Sequence, residues 1–173
     1  MYYNQIPFYP RPLLHHKPKY YPNYQRLYPN RTVPYQQPKT DYGKEPFTLN
    51  IAQASKNNNT YRTAIWTGEH LQVTLMSINI GDDIGLEIHP DTDQFLRIEQ
   101  GQGLLQMGED PNNPNDLTYQ ANVFEDSAIM VPAGTWHNII NTGPLPLKIY
   151  SIYAPPHHPY GTVQQTKADA MES

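Results

Sequence analysis

The sequence predicts an all-β domain, an antiparallel sandwich or barrel, behind an extended and disordered N-terminal arm. Three observations carry that expectation. Beyond about residue 46 the apolar residues fall in short runs rich in Ile, Val, Thr and Tyr, separated at fairly regular intervals by Gly, Pro, Asn and Asp. Nothing between those runs sustains a helical period. The first forty residues differ in kind: they hold eight of the 18 prolines, six basic residues and no acidic one.

The arm comes first. Proline lacks an N–H and clashes with a preceding turn, so this density of it excludes helix interiors and central strands. Few aliphatic side chains are present to offset the entropy of ordering, and residues 1–42 also carry nine of the 14 tyrosines. They form a basic, polyproline-prone arm. The expected barrel domain spans 43–165. Its strand-like runs are 63–68, 71–81, 94–101, 103–108, 127–132, 137–141 and 145–155. The polar stretch 108–116 is an exposed hairpin loop between strands. A tail over 166–173 adds at most a short helix.

Composition narrows the function classes. At 173 residues the chain is long enough for one core and not two. No cysteine is present, which excludes disulfides, thiolate metal sites and a cysteine nucleophile. Apolar runs are far shorter than a membrane span, and no secretory signal is readable at the N-terminus, so the expectation is a soluble cytoplasmic protein without a membrane partner. Six basic charges over forty residues are thin for single-strand nucleic-acid binding. The remaining residues carry a net −10, which repels phosphate.

Two stretches carry chemistry. The first is Gly81-x5-Glu87-x-His89-x4-Gln94-x6-Gly101; the second is Pro132-x-Gly134-x2-His137-x3-Asn141, with Asp126 six residues upstream. At these residues the chain resembles the cupin family, small jelly-roll β-barrels whose motifs run G-x5-H-x-H-x3,4-E-x6-G and G-x5-P-x-G-x2-H-x3-N. The resemblance covers roughly residues 60–155 and implies a single cupin barrel, commonly a homodimer. It also implies that Glu87, His89, Gln94 and His137 are metal ligands.

The chain departs from the pattern at three places. Glu87 stands where the family has its first histidine, Gln94 where it has the glutamate, and Asp126 where it has the leading glycine of the second motif. The first two changes move a carboxylate without losing it. Two imidazoles and one carboxylate suit a divalent first-row ion, Fe, Mn, Ni or Zn. The amide oxygen of Gln94 is a weaker ligand, equally suited to orienting one. Locally the pattern is consistent: alternate residues of a strand share a face, so Glu87 and His89 project together. Residues 90–93 turn the chain so that Gln94 opens the next strand, and the turn 132–134 delivers His137 from another strand.

Other candidates have plainer readings. Asp91 and Asp93 are turn-forming aspartates, and His157 and His158 lie in a solvated, proline-flanked loop, with a second, weak metal contact as the other reading. Tyr61, Trp66, Phe95, Trp136, Tyr150 and Tyr153 are core aromatics, some of them lining a pocket. Arg97 is out of phase with Gln94. The expected function is binding or conversion of a small polar metabolite at the metal, with dioxygenase or isomerase chemistry among the classes implied. No separate acid or base is identifiable. The alternative is a non-catalytic assembly protein, spore-coat-like, with the barrel as a dimer module and the tyrosine-rich arm as anchor.

Overall fold

The computed structural model describes residues 41–108 and 110–171, all within one compact unit. The basic arm expected over 1–42 lies outside the described residues except for Asp41 and Tyr42. These two are tied to the barrel: Tyr42 N donates to the Ile65 carbonyl at 2.9 Å, and the Asp41 carboxylate accepts from Gly43, Thr67 and Gly161.

The elements in chain order are α1 (Ile51–Asn57), β1 (Arg62–Thr67), β2 (Gln72–Ile78), β3 (Asp93–Gln100), β4 (Gln102–Gly108) and β5 (Tyr119–Phe124). There follow β6 (Ala128–Val131), β7 (Trp136–Asn141), β8 (Leu147–Ala154), β9 (Val163–Gln164) and α2 (Lys167–Met171). Two antiparallel sheets result, one ordered β6-β3-β8-β2-β1-β9 and the other β5-β4-β7. The two motif segments frame the turns between these strands. Gly101 takes φ +92 at the β3–β4 turn, where a left-handed backbone favours glycine. Asp126, at the second motif's leading-glycine position, takes φ +72. Aspartate is one of the few side chains that tolerate that region, which is why the exchange is accommodated.

The expectation that nothing before the tail is helical is corrected by α1. Asn50 caps it by accepting from Gln53 N at 3.0 Å, and its fully buried Ala54 packs with Ile65 and Leu75 on the outer face of the six-stranded sheet. Seven residues are too few for a periodic signal; tertiary packing and the cap make the helix. The strand β5 was also absent from the expected runs. It is a largely exposed edge strand in which only Val123 is buried.

Alternation sorts the inner surface of the larger sheet into two halves. Cross-strand partners share a face, so the register sets Ile98 of β3, Ile149 of β8 and Met76 of β2 in one apolar row, and Leu96 of β3 opposite Ser151 of β8 in the neighbouring one. With Ile78, Ile84, Leu105, Ile139 and Leu147 they make the core, nearly all below 3% exposed. At the other end the inward row reads Gln94, Tyr153, Gln72, and the next row Ser151, Thr74, Ala64. One end of the barrel is therefore apolar and the other polar. Asn141, the last residue of the second motif, lies beside the apolar half: its amide nitrogen is within 3.1 Å of the carbonyls of Ile78, Asn79 and Leu145. It ties two loops together and serves structure. Among the described residues no helix is long and apolar enough to cross a membrane.

Candidate metal centre

The polar end of the barrel brings together side chains from both motifs. His137 stands on β7, where alternation turns it inward beside Ile139 and leaves it fully buried. Its Nδ1 lies 3.0 Å from the Thr135 carbonyl. A carbonyl only accepts, so the ring proton sits on Nδ1 and the Nε2 lone pair is directed at the barrel interior. That Nε2 has no hydrogen-bond partner.

Glu87 and His89 come from 81–90, which corrects the expectation that both stand on a regular strand. The segment is a turn-broken stretch that touches β7 through isolated bridges, Asp83 with Ile140 and Glu87 with His137. Glu87 N donates to the His137 carbonyl at 3.0 Å and His137 N to the Glu87 carbonyl at 2.9 Å, so the two side chains enter the site side by side. Gly81 and Gly85, both with positive φ, permit the breaks. Gly134 N donates to the His89 carbonyl at 2.9 Å and docks the second-motif turn onto the first.

The result is a compact donor set. Glu87 Oε1 lies 3.6 Å from His89 Nε2 and 3.5 Å from His137 Nε2, and one ligating atom from each residue falls within 4.8 Å of the others. First-row ions take such ligands at about 2.0–2.2 Å, which puts neighbouring donor atoms roughly 3.0–3.5 Å apart. The two carboxylate–imidazole spacings are close to this. Neither His89 nitrogen has a hydrogen-bond partner, and Glu87 Oε1 likewise has none. Three lone-pair donors buried together without partners are costly unless something bridges them. These residues fit a divalent ion.

Gln94, the fourth expected ligand, is the second residue of β3 and is buried. Its amide nitrogen donates to Ser151 Oγ at 2.9 Å, which fixes the amide and leaves Oε1 buried without a partner. Arg62 on β1 was not singled out by the sequence. It is buried, its Nη2 stands 3.5 Å from Glu87 Oε2, and Gln164 accepts from its Nη1 at 3.1 Å. The only trace of it in the chain is its inward phase with Ala64. Burial by itself would raise the Glu87 carboxyl. Its contacts with His137 and His89 and the Arg62 guanidinium outweigh that and hold it well below the usual carboxylate range.

The solvated-loop expectation holds for His157, which is exposed, and is corrected for His158, which is half-buried; both rings nevertheless meet the site. The His157 ring lies 4.1 Å from that of His89, and the His158 ring 5.0 Å from that of Tyr153. Gln72 holds this stretch with two bonds of 2.9 Å, accepting from His158 N and donating to the His158 carbonyl. Burial pushes the His158 imidazole down to about 3, so it is neutral. Arg97 points away from the site toward Glu99 and Asp126. Asp93 accepts from Ala133 N at 2.9 Å, the work of a turn residue. A separate cleft of about 410 Å³, lined by Lys44, Glu45, Phe47, Ile65 and Trp66 among others, lies on the outer face near α1 and gathers no cluster of metal-ligating side chains.

Comparison with known proteins agrees with this architecture. The profile of the cupin domain matches residues 74–153, which run from β2 to the end of β8. The chain is 66% identical over 131 residues to the protein YrkC of Bacillus subtilis, covering 76% of this chain and 69% of that one. To the protein L612 of Acanthamoeba polyphaga mimivirus it is 40% identical over 118 residues, covering 68% and 70%. The crystal structure of BH2720 from Bacillus halodurans is 60% identical, with a TM-score of 0.75 over 78% of this chain and 99% of that one. TT1209 from Thermus thermophilus, at 16% identity and a TM-score of 0.52 over 62% and 96%, shares the fold alone. A barrel of two antiparallel sheets, both motifs meeting at its polar end, and relatives this close along most of their length make the chain a member of the cupin family.

Proposed function

We propose that Glu87, His89 and His137, joined by the amide oxygen of Gln94, hold one divalent first-row ion, and that the barrel binds or converts a small polar metabolite at that ion. The observation that carries this reading is the triad itself: a carboxylate oxygen within 3.6 Å of two imidazole nitrogens, each buried with its lone pair unpartnered. Such an ion would supply a Lewis-acid centre able to polarise an oxygen of the metabolite or of water. The protein's residues do the rest. Thr135 sets the His137 tautomer, Ser151 orients Gln94, Arg62 keeps Glu87 ionised, and the His157–His158 stretch covers His89 and Tyr153.

Metal content measured by mass spectrometry tests the reading. The wild-type chain is expected to carry about one ion, and the His89→Ala/His137→Ala double variant none, with its β-sheet circular dichroism retained. Gln94→Ala is expected to weaken the retained ion about tenfold or more, the usual effect of losing a ligand or its orienting partner. A wild-type chain that takes up none of Fe(II), Mn(II), Ni(II) or Zn(II) on reconstitution would overturn the proposal.

A further inference from the structure

Ten buried side-chain polar atoms of the described residues have no hydrogen-bond partner, and nine of them belong to residues of the barrel's polar end. The tenth, Asn138 Oδ1, belongs to the neighbour of His137 on the opposite face of β7. An ion held as proposed above accounts for Glu87 Oε1, Gln94 Oε1 and one nitrogen from each of His89 and His137. It leaves five: the other His89 nitrogen and His158 Nε2 on one side, and Arg62 Nε, Thr74 Oγ1 and the Tyr153 hydroxyl on the sheet, these last three each on a residue less than 5% exposed. Folded chains pair nearly all such groups, so three left over in one place call for an occupant.

The register puts them in one place. They stand on β1, β2 and β8, which are consecutive in the sheet. Thr74 lies opposite Ala64 on one side and Ser151 on the other, two small side chains. Arg62 is opposite Met76, one inward position along β2 from Thr74, and Tyr153 is opposite Gln72, one inward position the other way. The inner surface is therefore low at Thr74 and flanked by two long polar side chains. The Arg62 charge acts on the Tyr153 hydroxyl, as it does between neighbours, and burial still pushes that hydroxyl up to about 12, so it keeps its proton.

The chemistry of the three groups is one-sided. A guanidinium N–H only donates, a protonated phenol donates, and a threonine hydroxyl turns to donate where an acceptor is offered. Arg62 has one nearby counter-charge, Glu87 at 3.5 Å, and that carboxylate is shared with the imidazole pair. A buried set of donors beside a guanidinium matches an oxyanion.

We infer that Arg62, Thr74 and Tyr153 form an oxyanion subsite beside the metal centre, and that the metabolite is a small organic acid whose carboxylate rests on these three residues. The inference rests on the metal reading only for what holds the other end of the acid.

Calorimetric titration of the full chain tests it, with malate, succinate and 2-oxoglutarate as probes and 1,2,4-butanetriol as the counterpart of malate without carboxylates. The chain is used both loaded with Mn(II) and stripped of metal, and metal content is read on the same samples. At least one acid is expected to bind ten times or more tightly than the triol. Thr74→Val and Tyr153→Phe, which each delete one oxygen and keep the shape, are each expected to weaken that acid about tenfold with metal content and melting temperature unchanged. Three outcomes overturn the inference: no acid binds, the triol binds as well, or both variants bind the acid like wild type. One ion per chain without acid binding is failure of this inference alone. Acid binding that needs Thr74 and Tyr153 in a chain that takes no metal upholds it and removes the metal reading.

Discussion

The carbonyl of Thr135 settles where the proton of His137 sits, and so which nitrogen faces the site. That kind of decision, made by one backbone atom two residues away, is typical of the centre. Glu87 faces two imidazoles and a guanidinium, of which only His89 is near it in the chain. Its folded-state carboxyl lies below the ordinary value of 4.5. A group depressed in this way contributes stability above its unfolded value and loses it as the pH falls toward the folded one. In metal-free protein the urea midpoint should therefore fall more steeply from about pH 5 to about pH 3 in wild type than in Glu87→Gln, which has no carboxyl to titrate. Parallel slopes would show that Glu87 is not held in this way. The identities of His89, His137 and Glu87 were legible in the motif spacing. Arg62 was not, because no local pattern reports a guanidinium that meets its partner 25 residues on.

Among the elements, the connection from β8 to β9 is largely exposed, as expected, yet tied to the barrel. Residues 155–160 read as solvated because Pro and His are common in exposed turns. What places them is Gln72, a fully buried amide on β2 that bonds both backbone groups of His158 and also donates to Thr67 Oγ1 at 2.9 Å. Gln72→Ala should cost about 1–3 kcal/mol, the usual result of leaving buried partners unpaired. It should also speed amide exchange at 157–160 well beyond that of β8. Exchange rates unchanged in that stretch would mean that Tyr160, which donates to the Asp41 carbonyl, holds it alone. The same limit explains α1 and β5: one depends on a cap and on buried Ala54 and Ser55, the other on pairing with β4. Neither leaves a periodic trace. The long runs behind β2, β3 and β8 do, because their inner faces supply most of the core.

Taken whole, the barrel separates stability from chemistry along its axis. The apolar rows hold the sheets together, and Ile149 lies at their centre with no exposed surface. Ile149→Ala should destabilise the fold by about 2–5 kcal/mol through the cavity it leaves. If the two ends are independent, the variant retains wild-type metal content at temperatures where it stays folded; a variant that folds but loses its metal would refute that separation. The sequence by itself determined the all-β class, the two motif segments and the three residues that meet as the donor triad. Those follow from alternation, turn chemistry and spacing, all of which act within a few residues. Only the tertiary structure decided that Arg62, Thr74 and Tyr153 share the polar end and that the His157–His158 stretch packs there too. Strand register and buried hydrogen bonds join residues far apart in the chain, and nothing local encodes which inward positions will face one another.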